Sequence, residues 1–277
     1  MGNTKRNDKY AATQAVSVFM RVLAVALIAS IAGTAAAQAD CAHKGVLGTS
    51  RILKVDAATY PRVGSKSFPQ TLPLEDHEVV LTFDDGPWPG TTPRVLAALA
   101  RECVRATFFL IGKPASEQPA LARRIATEGH TVGHHTWTHH NLKYMKPADA
   151  EAEIDKGIAA NEMALHGAAT TAPVTPFFRF PYFEMTPRTL DLLQSRGIAV
   201  IGADLWASDW NPMTPQQQLK LLTGRLNVAR KGIILLHDTK AQTATMLPAF
   251  LRYLRDNHYR VVHLEPAPAG ADAKAAR

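Results

Sequence analysis

Seven short apolar runs, separated by stretches with helical character, constrain this chain more than any other feature. The runs are Val79–Phe83, Ala106–Ile111, His130–Gly133, Phe177–Phe180, Ala199–Asp204, Gly232–Leu236 and Arg260–Leu264. Helices are expected over Thr92–Glu102, Glu117–Glu128, Ala148–Ala164, Pro187–Arg196, Pro215–Ala229 and Met246–Asn257. Several of these open with proline in the first turn and several are followed by glycine, as at Gly129 and Gly197. Strands that alternate with helices pair in parallel, because parallel neighbours need a crossover between them. Seven or eight such units can close into a barrel, and a barrel carries its chemistry at the C-terminal ends of its strands. The polar clusters of this sequence fall at those ends: Asp84 and Asp85, a histidine group, Arg179, Asp204, and His237 with Asp238.

The rest of the chain bounds this reading. Of 277 residues, 46% are hydrophobic and 20% charged, enough apolar material for a sizeable core. Residues 1–39 read as a signal peptide or N-terminal anchor. Lys5, Arg6, Lys9 and Arg21 precede an apolar run from Val22 to Gly33, and small residues offer cleavage after Ala37 or Ala39. Export to a periplasmic, cell-envelope or secreted location follows, with membrane contact only through an uncleaved segment. Residues 40–77 are punctuated by Gly and Pro and read as an irregular lead-in. Residues 78–266 form the main domain, and 267–277 a disordered tail. Cleavage would reduce the formal charge of +7 by three, too little for the dense basic stripe that nucleic-acid binding requires. Cys41 and Cys103 are the only cysteines, and sequence leaves their pairing open. It leaves the oligomeric state open as well.

Five segments carry the chemistry. Thr82-Phe83-Asp84-Asp85-Gly86-Pro87 sets two carboxylates side by side at a strand end. Their repulsion is relieved if one binds a cation and the other serves as a base. Five of the eleven histidines lie between His130 and His140, and His135 and His139 have a spacing that lets two imidazoles face one ion. With Asp85 they make a three-ligand set that leaves a position open for water; His130, His134 and His140 read as structural. Phe178-Arg179-Phe180-Pro181-Tyr182 places an arginine among aromatics, where it needs a carboxylate partner. Asp204-Leu205-Trp206-Ala207-Ser208-Asp209-Trp210 offers such acids, with indole surface suited to a sugar ring, and Ile233–Asp238 is an apolar strand that ends in histidine.

In this order the five segments resemble the motifs of the polysaccharide deacetylase family, also called the NodB-homology or carbohydrate esterase family 4, over roughly Glu78 to Leu264. The resemblance implies an α/β fold, a distorted (β/α) barrel of seven parallel strands. It also implies a hydrolase that removes N-acetyl groups from an acetylated polysaccharide or oligosaccharide, of the chitooligosaccharide or peptidoglycan type. By the same resemblance, Asp84 is the base and Asp85, His135 and His139 hold a divalent metal, Zn²⁺ with Co²⁺ or Ni²⁺ as alternatives. Arg179 holds Asp84, the Tyr182 N–H meets the oxyanion, and His237 is the acid tuned by Asp209. Leu235 and Trp210 join Tyr182 in lining the substrate site. Two positions depart from the pattern: Phe183 stands where glycine is usual, and Trp206 where an acid is common. Both bear on substrate identity. An O-acetyl esterase acting on xylan-like polymer and a catalytically silent carbohydrate-binding protein are the rival readings.

Overall fold

The computed structural model describes residues 45–268. The signal or anchor segment at 1–39 and most of the expected tail lie outside the described residues. Ala267, at the edge of that tail, donates its N–H to the Val55 carbonyl at 2.9 Å.

Ten parallel strands form one sheet at the centre, seven of them between Glu78 and His237. In chain order these seven are β3 (Glu78–Asp84), β4 (Thr107–Leu110), β5 (Thr131–His134), β6 (Phe177–Phe178), β7 (Ala199–Ile201), β8 (Leu205–Trp206) and β9 (Gly232–His237). In space they run β8–β9–β3–β4–β5–β6–β7. Strands buried on both faces read as continuous apolar runs, and every residue of β3 and β4 is buried. Each of the seven expected runs contains a strand of this sheet. Arg260–Leu264 belongs to β10 (Arg260–Pro266), which meets only the first two residues of β3 and otherwise pairs with β1 (Thr49–Val55). A further strand that the pattern did not show is β8, two residues long and too short to show a period of its own.

The lead-in is not wholly irregular. β1 adds to the sheet through β10, and β2 (Arg62–Val63) pairs with β7. Successive side chains on a strand face opposite ways, so Phe109, Phe177 and Ile233 turn to one face while Phe108, Phe178 and Ile234 turn to the other. Val55, Val63, Leu72 and Leu74 of the lead-in complete the cluster of the first face with Val80 and Ile201. Thr82 and Asp84 follow Val80 on that face by the same alternation.

The helices are α1 (Thr92–Arg101), α2 (Gly112–Glu117), α3 (Pro119–Thr127), α4 (Pro147–His166), α5 (Pro187–Ser195), α6 (Pro215–Ala229) and α7 (Ala241–Asp256). The helix expected over Glu117–Glu128 is α3, and it starts at Pro119 because proline disfavours helical backbone at Gln118, which separates it from the short α2. Thr186 and Thr214 close capping boxes at the starts of α5 and α6. Cys103 is disulfide-bonded; Cys41, the other cysteine of the sequence, lies outside the described residues.

Asp204 departs from its expected place at a strand end. Leu205 lies opposite Ile234, so Asp204 sits toward the start of β9. Its Oδ2 accepts from the Ile233 N–H and from Thr71 Oγ1, each at 2.8 Å, and its Oδ1 accepts from the Ser65 N–H at 2.7 Å. It therefore ties the lead-in to β9. Replacing it by Ala strands three donors, and the expected loss of stability is about 2–4 kcal/mol, read as a shift in the denaturant midpoint.

Two buried histidines make the fold sensitive to acid. His130 Nδ1 accepts from the Ala106 N–H at 3.1 Å, and His263 Nε2 lies 3.1 Å from Thr131 Oγ1. Burial holds His130 down to about 3 and His263 down to about 4. The unfolded chain therefore takes up protons below an ordinary histidine value of about 6.5 while the folded chain does not. Stability present above that value should be lost as pH falls through it toward the folded values. His130→Gln should flatten the fall in melting temperature between about pH 7 and about pH 5; an unchanged slope would remove His130 from this account.

Candidate active site

The parallel register assembles the site. Asp84 lies opposite both His237 and Phe109, Leu110 opposite His134, and His134 opposite Phe178. The polar residues at or just past these positions therefore converge on one end of the sheet. The chain turns sharply there. Asp85, Thr136, His139, Tyr182 and Phe183 all have left-handed backbone, with φ of 78°, 66°, 63°, 59° and 55°.

Arg179 is fully buried and donates in four directions. Its Nε reaches the Ile201 carbonyl at 2.8 Å and one terminal nitrogen the Gly202 carbonyl at 2.7 Å. The other terminal nitrogen meets Thr82 Oγ1 and Asp84 Oδ1, each at 2.7 Å. The guanidinium lies over the Phe109 ring, 4.2 Å from its centroid. Its carboxylate partner is thus Asp84, and Asp204 and Asp209 of the fourth segment make other contacts. Burial pushes the Asp84 carboxyl above its ordinary value, against the pull of Arg179 and His237.

Asp85, His135 and His139 present one donor atom each within 4.8 Å of one another. His135 Nδ1 lies 2.7 Å from the Arg179 carbonyl, which can only accept, so the proton is on Nδ1 and the Nε2 lone pair is free. That Nε2 faces Asp85 Oδ1 at 3.6 Å, and His139 Nε2 faces the same oxygen at 3.3 Å. Asp85 Oδ1 is buried with no hydrogen-bond donor. A carboxylate oxygen in that state is costly unless a cation meets it. Burial lowers both imidazoles, His135 to about 3; they are neutral near pH 7, the form that binds metal. One carboxylate and two imidazoles suit Zn²⁺ and its late first-row neighbours.

The histidine loop follows β5 and is seated by small residues. A Cβ on Gly157 of α4 would stand 2.3 Å from the Thr136 carbonyl carbon, so only glycine lets the helix backbone approach the loop this closely. His139 is held by its N–H to Thr136 Oγ1 at 3.0 Å. The spacing of His135 and His139 is therefore realised on a tight turn. His130, His134 and His140 stay outside the cluster; His134 faces Asn161 and His140 faces Thr138.

Opposite this group, His237 Nδ1 lies 2.7 Å from Asp209 Oδ1, and the His237 N–H donates to Asp209 Oδ2 at 2.8 Å. Its Nε2 is 3.9 Å from Asp85 Oδ2. Burial disfavours the imidazolium, but the hydrogen bond and charge of Asp209, with Asp85 and Asp84 behind it, push His237 up to about 9. Thr243 Oγ1 donates to Asp209 at 2.6 Å. Leu235 is buried on β9, opposite Trp206. Trp210 stands 47% exposed with its ring 6.0 Å from that of His237, and the exposed Tyr182 ring lies 4.7 Å from His139. The short turn at Tyr182 is closed by donors from Phe183 and Glu184.

Sequence reading missed three supports. Thr82 holds Arg179, Thr243 holds Asp209, and a lone threonine gives no signal of either. Asp238 was visible beside His237 but had no role. It is fully buried, accepts from the Thr92 hydroxyl, and fills the space a Gly86 side chain would need.

The sequence matches the polysaccharide deacetylase family pattern over residues 72–201. A peptidoglycan-N-acetylglucosamine deacetylase of Bacillus cereus is 34% identical over 167 residues, covering 60% of this chain and 58% of that protein. A chitooligosaccharide deacetylase of Bradyrhizobium sp. is 37% identical over 161 residues, covering 58% of this chain and 70% of that protein. Among solved structures, a Bdellovibrio bacteriovorus peptidoglycan deacetylase superposes with a TM-score of 0.72 at 28% identity, over 83% of this chain and 62% of that one. The chain thus spans less than two thirds of the Bacillus and Bdellovibrio proteins. With the parallel sheet and five motifs converging at its C-terminal end, these matches place the chain in the polysaccharide deacetylase family.

Proposed function

We propose that this chain is a metal-dependent hydrolase that removes N-acetyl groups from an N-acetylglucosamine-containing poly- or oligosaccharide, of chitooligosaccharide or peptidoglycan type, and releases acetate. One observation carries the reading: a base, a cation-ready triad and a charged imidazole stand in close succession, with His135 3.8 Å from Asp84 and His237 3.9 Å from Asp85. Asp84 is clamped by Arg179 at 2.7 Å beside Asp85, His135 and His139, and His237 is clamped by Asp209 at 2.7 Å across from them. The names of the Bacillus and Bradyrhizobium relatives support the substrate class.

Asp85, His135 and His139 would hold the metal. When bound, a divalent ion of this kind polarises a carbonyl and brings the pKa of water down to about 7. The remaining work falls to side chains. Asp84, anchored in one orientation, takes a proton from the water that adds to the acetamide carbonyl carbon. The Tyr182 N–H donates to the oxygen that becomes negative, where one such donor is typically worth about 3–4 kcal/mol. His237 gives its proton to the amide nitrogen as the C–N bond breaks. Acetate and a free sugar amine result. An amine does not leave as an anion, so the acid is required, and general acid–base help of this kind is typically worth about 10²–10⁴-fold. Asp209 keeps His237 protonated and oriented, while Leu235, Tyr182 and Trp210 shape the entrance. Export is part of the proposal, supported by the disulfide at Cys103, since such bonds persist in oxidising compartments.

The test is acetate release from N-acetylglucosamine oligomers. Chelator should stop it and Zn²⁺ should restore it. Release unaffected by chelator would overturn metal dependence, and release only from acetylated xylan would favour the esterase. Asp84→Asn should lower kcat by at least about 10²-fold while the protein still binds one equivalent of metal by calorimetry. Wild-type turnover in that variant would remove Asp84 from its role.

A further inference from the structure

Three aromatic rings run in a row away from His237. Trp210 stands edge-on to His237 with centroids 6.0 Å apart, and Trp206 lies 5.9 Å from Trp210 at 63°. Phe183 stacks beside Trp206 at 6.2 Å and 23°. The row spans two separate elements, since Phe183 follows Arg179 in the turn after β6 and Trp206 belongs to β8. The rings are not packed away. Trp210 is 47% exposed, and Phe183 and Trp206 are both partly exposed. A core that sought only to bury apolar surface would have covered them.

The backbone gives a second, independent sign. Phe183 has φ of 55° immediately after Tyr182 at 59°. Left-handed backbone is costly for a residue with a Cβ and free for glycine. Strain of this kind persists where the surroundings hold it, and such positions cluster at functional sites. The hydrogen bonds of this turn come from main-chain groups, and glycine would make them equally well. What the phenylalanine adds is its ring against Trp206. Trp206 is held too: Arg225 donates to its carbonyl at 2.7 Å, and the Lys66 ammonium lies 5.2 Å from its ring centroid. Lys66 is fixed at its own N–H by the Ala203 carbonyl at 3.0 Å.

We infer that Phe183, Trp206 and Trp210 form a sugar-binding shelf that carries a neighbouring pyranose ring of the glycan beside the one being deacetylated. The inference rests on the deacetylase reading and deepens it. A pyranose presents a C–H face that lies well on aromatic rings, and the Lys66 ammonium over Trp206 is a donor for the sugar's hydroxyls. Rigid rings lose little freedom when they are covered, so the shelf adds affinity at small entropic cost. It makes chain length, not the acetamide alone, a determinant of binding. Because the shelf touches no reacting atom, it should govern KM and leave kcat nearly unchanged.

The experiment compares the full chain with Phe183→Gly, Phe183→Tyr and Trp206→Leu on the N-acetylglucosamine pentamer. Phe183→Gly relieves the backbone and should melt no lower than the parent, so a loss of binding is not a loss of fold. Phe183→Gly and Trp206→Leu should each raise KM about tenfold with kcat within about twofold, and Phe183→Tyr should keep the parental KM. KM values within about twofold of the parent in both Phe183→Gly and Trp206→Leu would overturn the shelf. A parent chain that releases no acetate defeats the deacetylase reading alone. The shelf is then read from tryptophan fluorescence: quenching by the pentamer that is lost in Trp206→Leu upholds it, and absence of quenching in the parent overturns it.

Discussion

The buried guanidinium of Arg179 is the interaction on which the site depends. A charge without solvent must be met by hydrogen bonds on all sides, and this one is met by Asp84, Thr82 and the carbonyls of Ile201 and Gly202. These partners come from β3 and from the end of β7, so one side chain joins distant strands and sets the angle of the Asp84 carboxylate. Its own carbonyl accepts from His135 and so selects the tautomer that faces Asp85. Arg179 thus orients the Asp84 carboxylate directly and the His135 imidazole through a single backbone atom.

The three site histidines show how environment divides one residue type among roles. His135 is buried and His139 half-buried, close to each other and to Asp85, and desolvation keeps them uncharged. His237 is also largely shielded from solvent, yet Asp209 accepts from both its ring and its main chain, and this outweighs the desolvation. Neutral imidazoles suit a cation, and a charged one suits proton delivery. The division does not come from the histidines themselves. It comes from whether a carboxylate accepts from the ring.

The framework that holds these groups reaches beyond the motif-bearing strands. Val55, Val63, Leu72 and Leu74 join the interior cluster, and Asp204 fastens the same segment to β9. A two-residue β8 could not hold Trp206 in place alone; its pairing with β9 and the reach of Arg225 from α6 do so. The two departures noted in the sequence, Phe183 and Trp206, stand against each other in space although 23 positions separate them in the chain.

Read alone, the sequence determined the class of fold and most of the chemical inventory. Strands buried on both faces must be apolar throughout, and polar residues can follow only where the strand leaves the core, so Asp84, Asp85, Arg179 and His237 were legible as strand-end groups. The short spacing of His135 and His139 was legible for the same local reason. Contacts between distant segments were not. Spacing and periodicity do not show that Arg179 prefers Asp84 to Asp204, a pairing that only the family resemblance implied, nor that Thr243 supports Asp209, that the two-residue β8 joins β9, or that residues near 50 and 62 form strands. Those choices depend on strand order and register, which only the assembled sheet sets. Hydrophobic pattern is a property of neighbours along the chain, whereas hydrogen-bond partners and desolvation belong to the packed interior, and there the tertiary structure alone decided them.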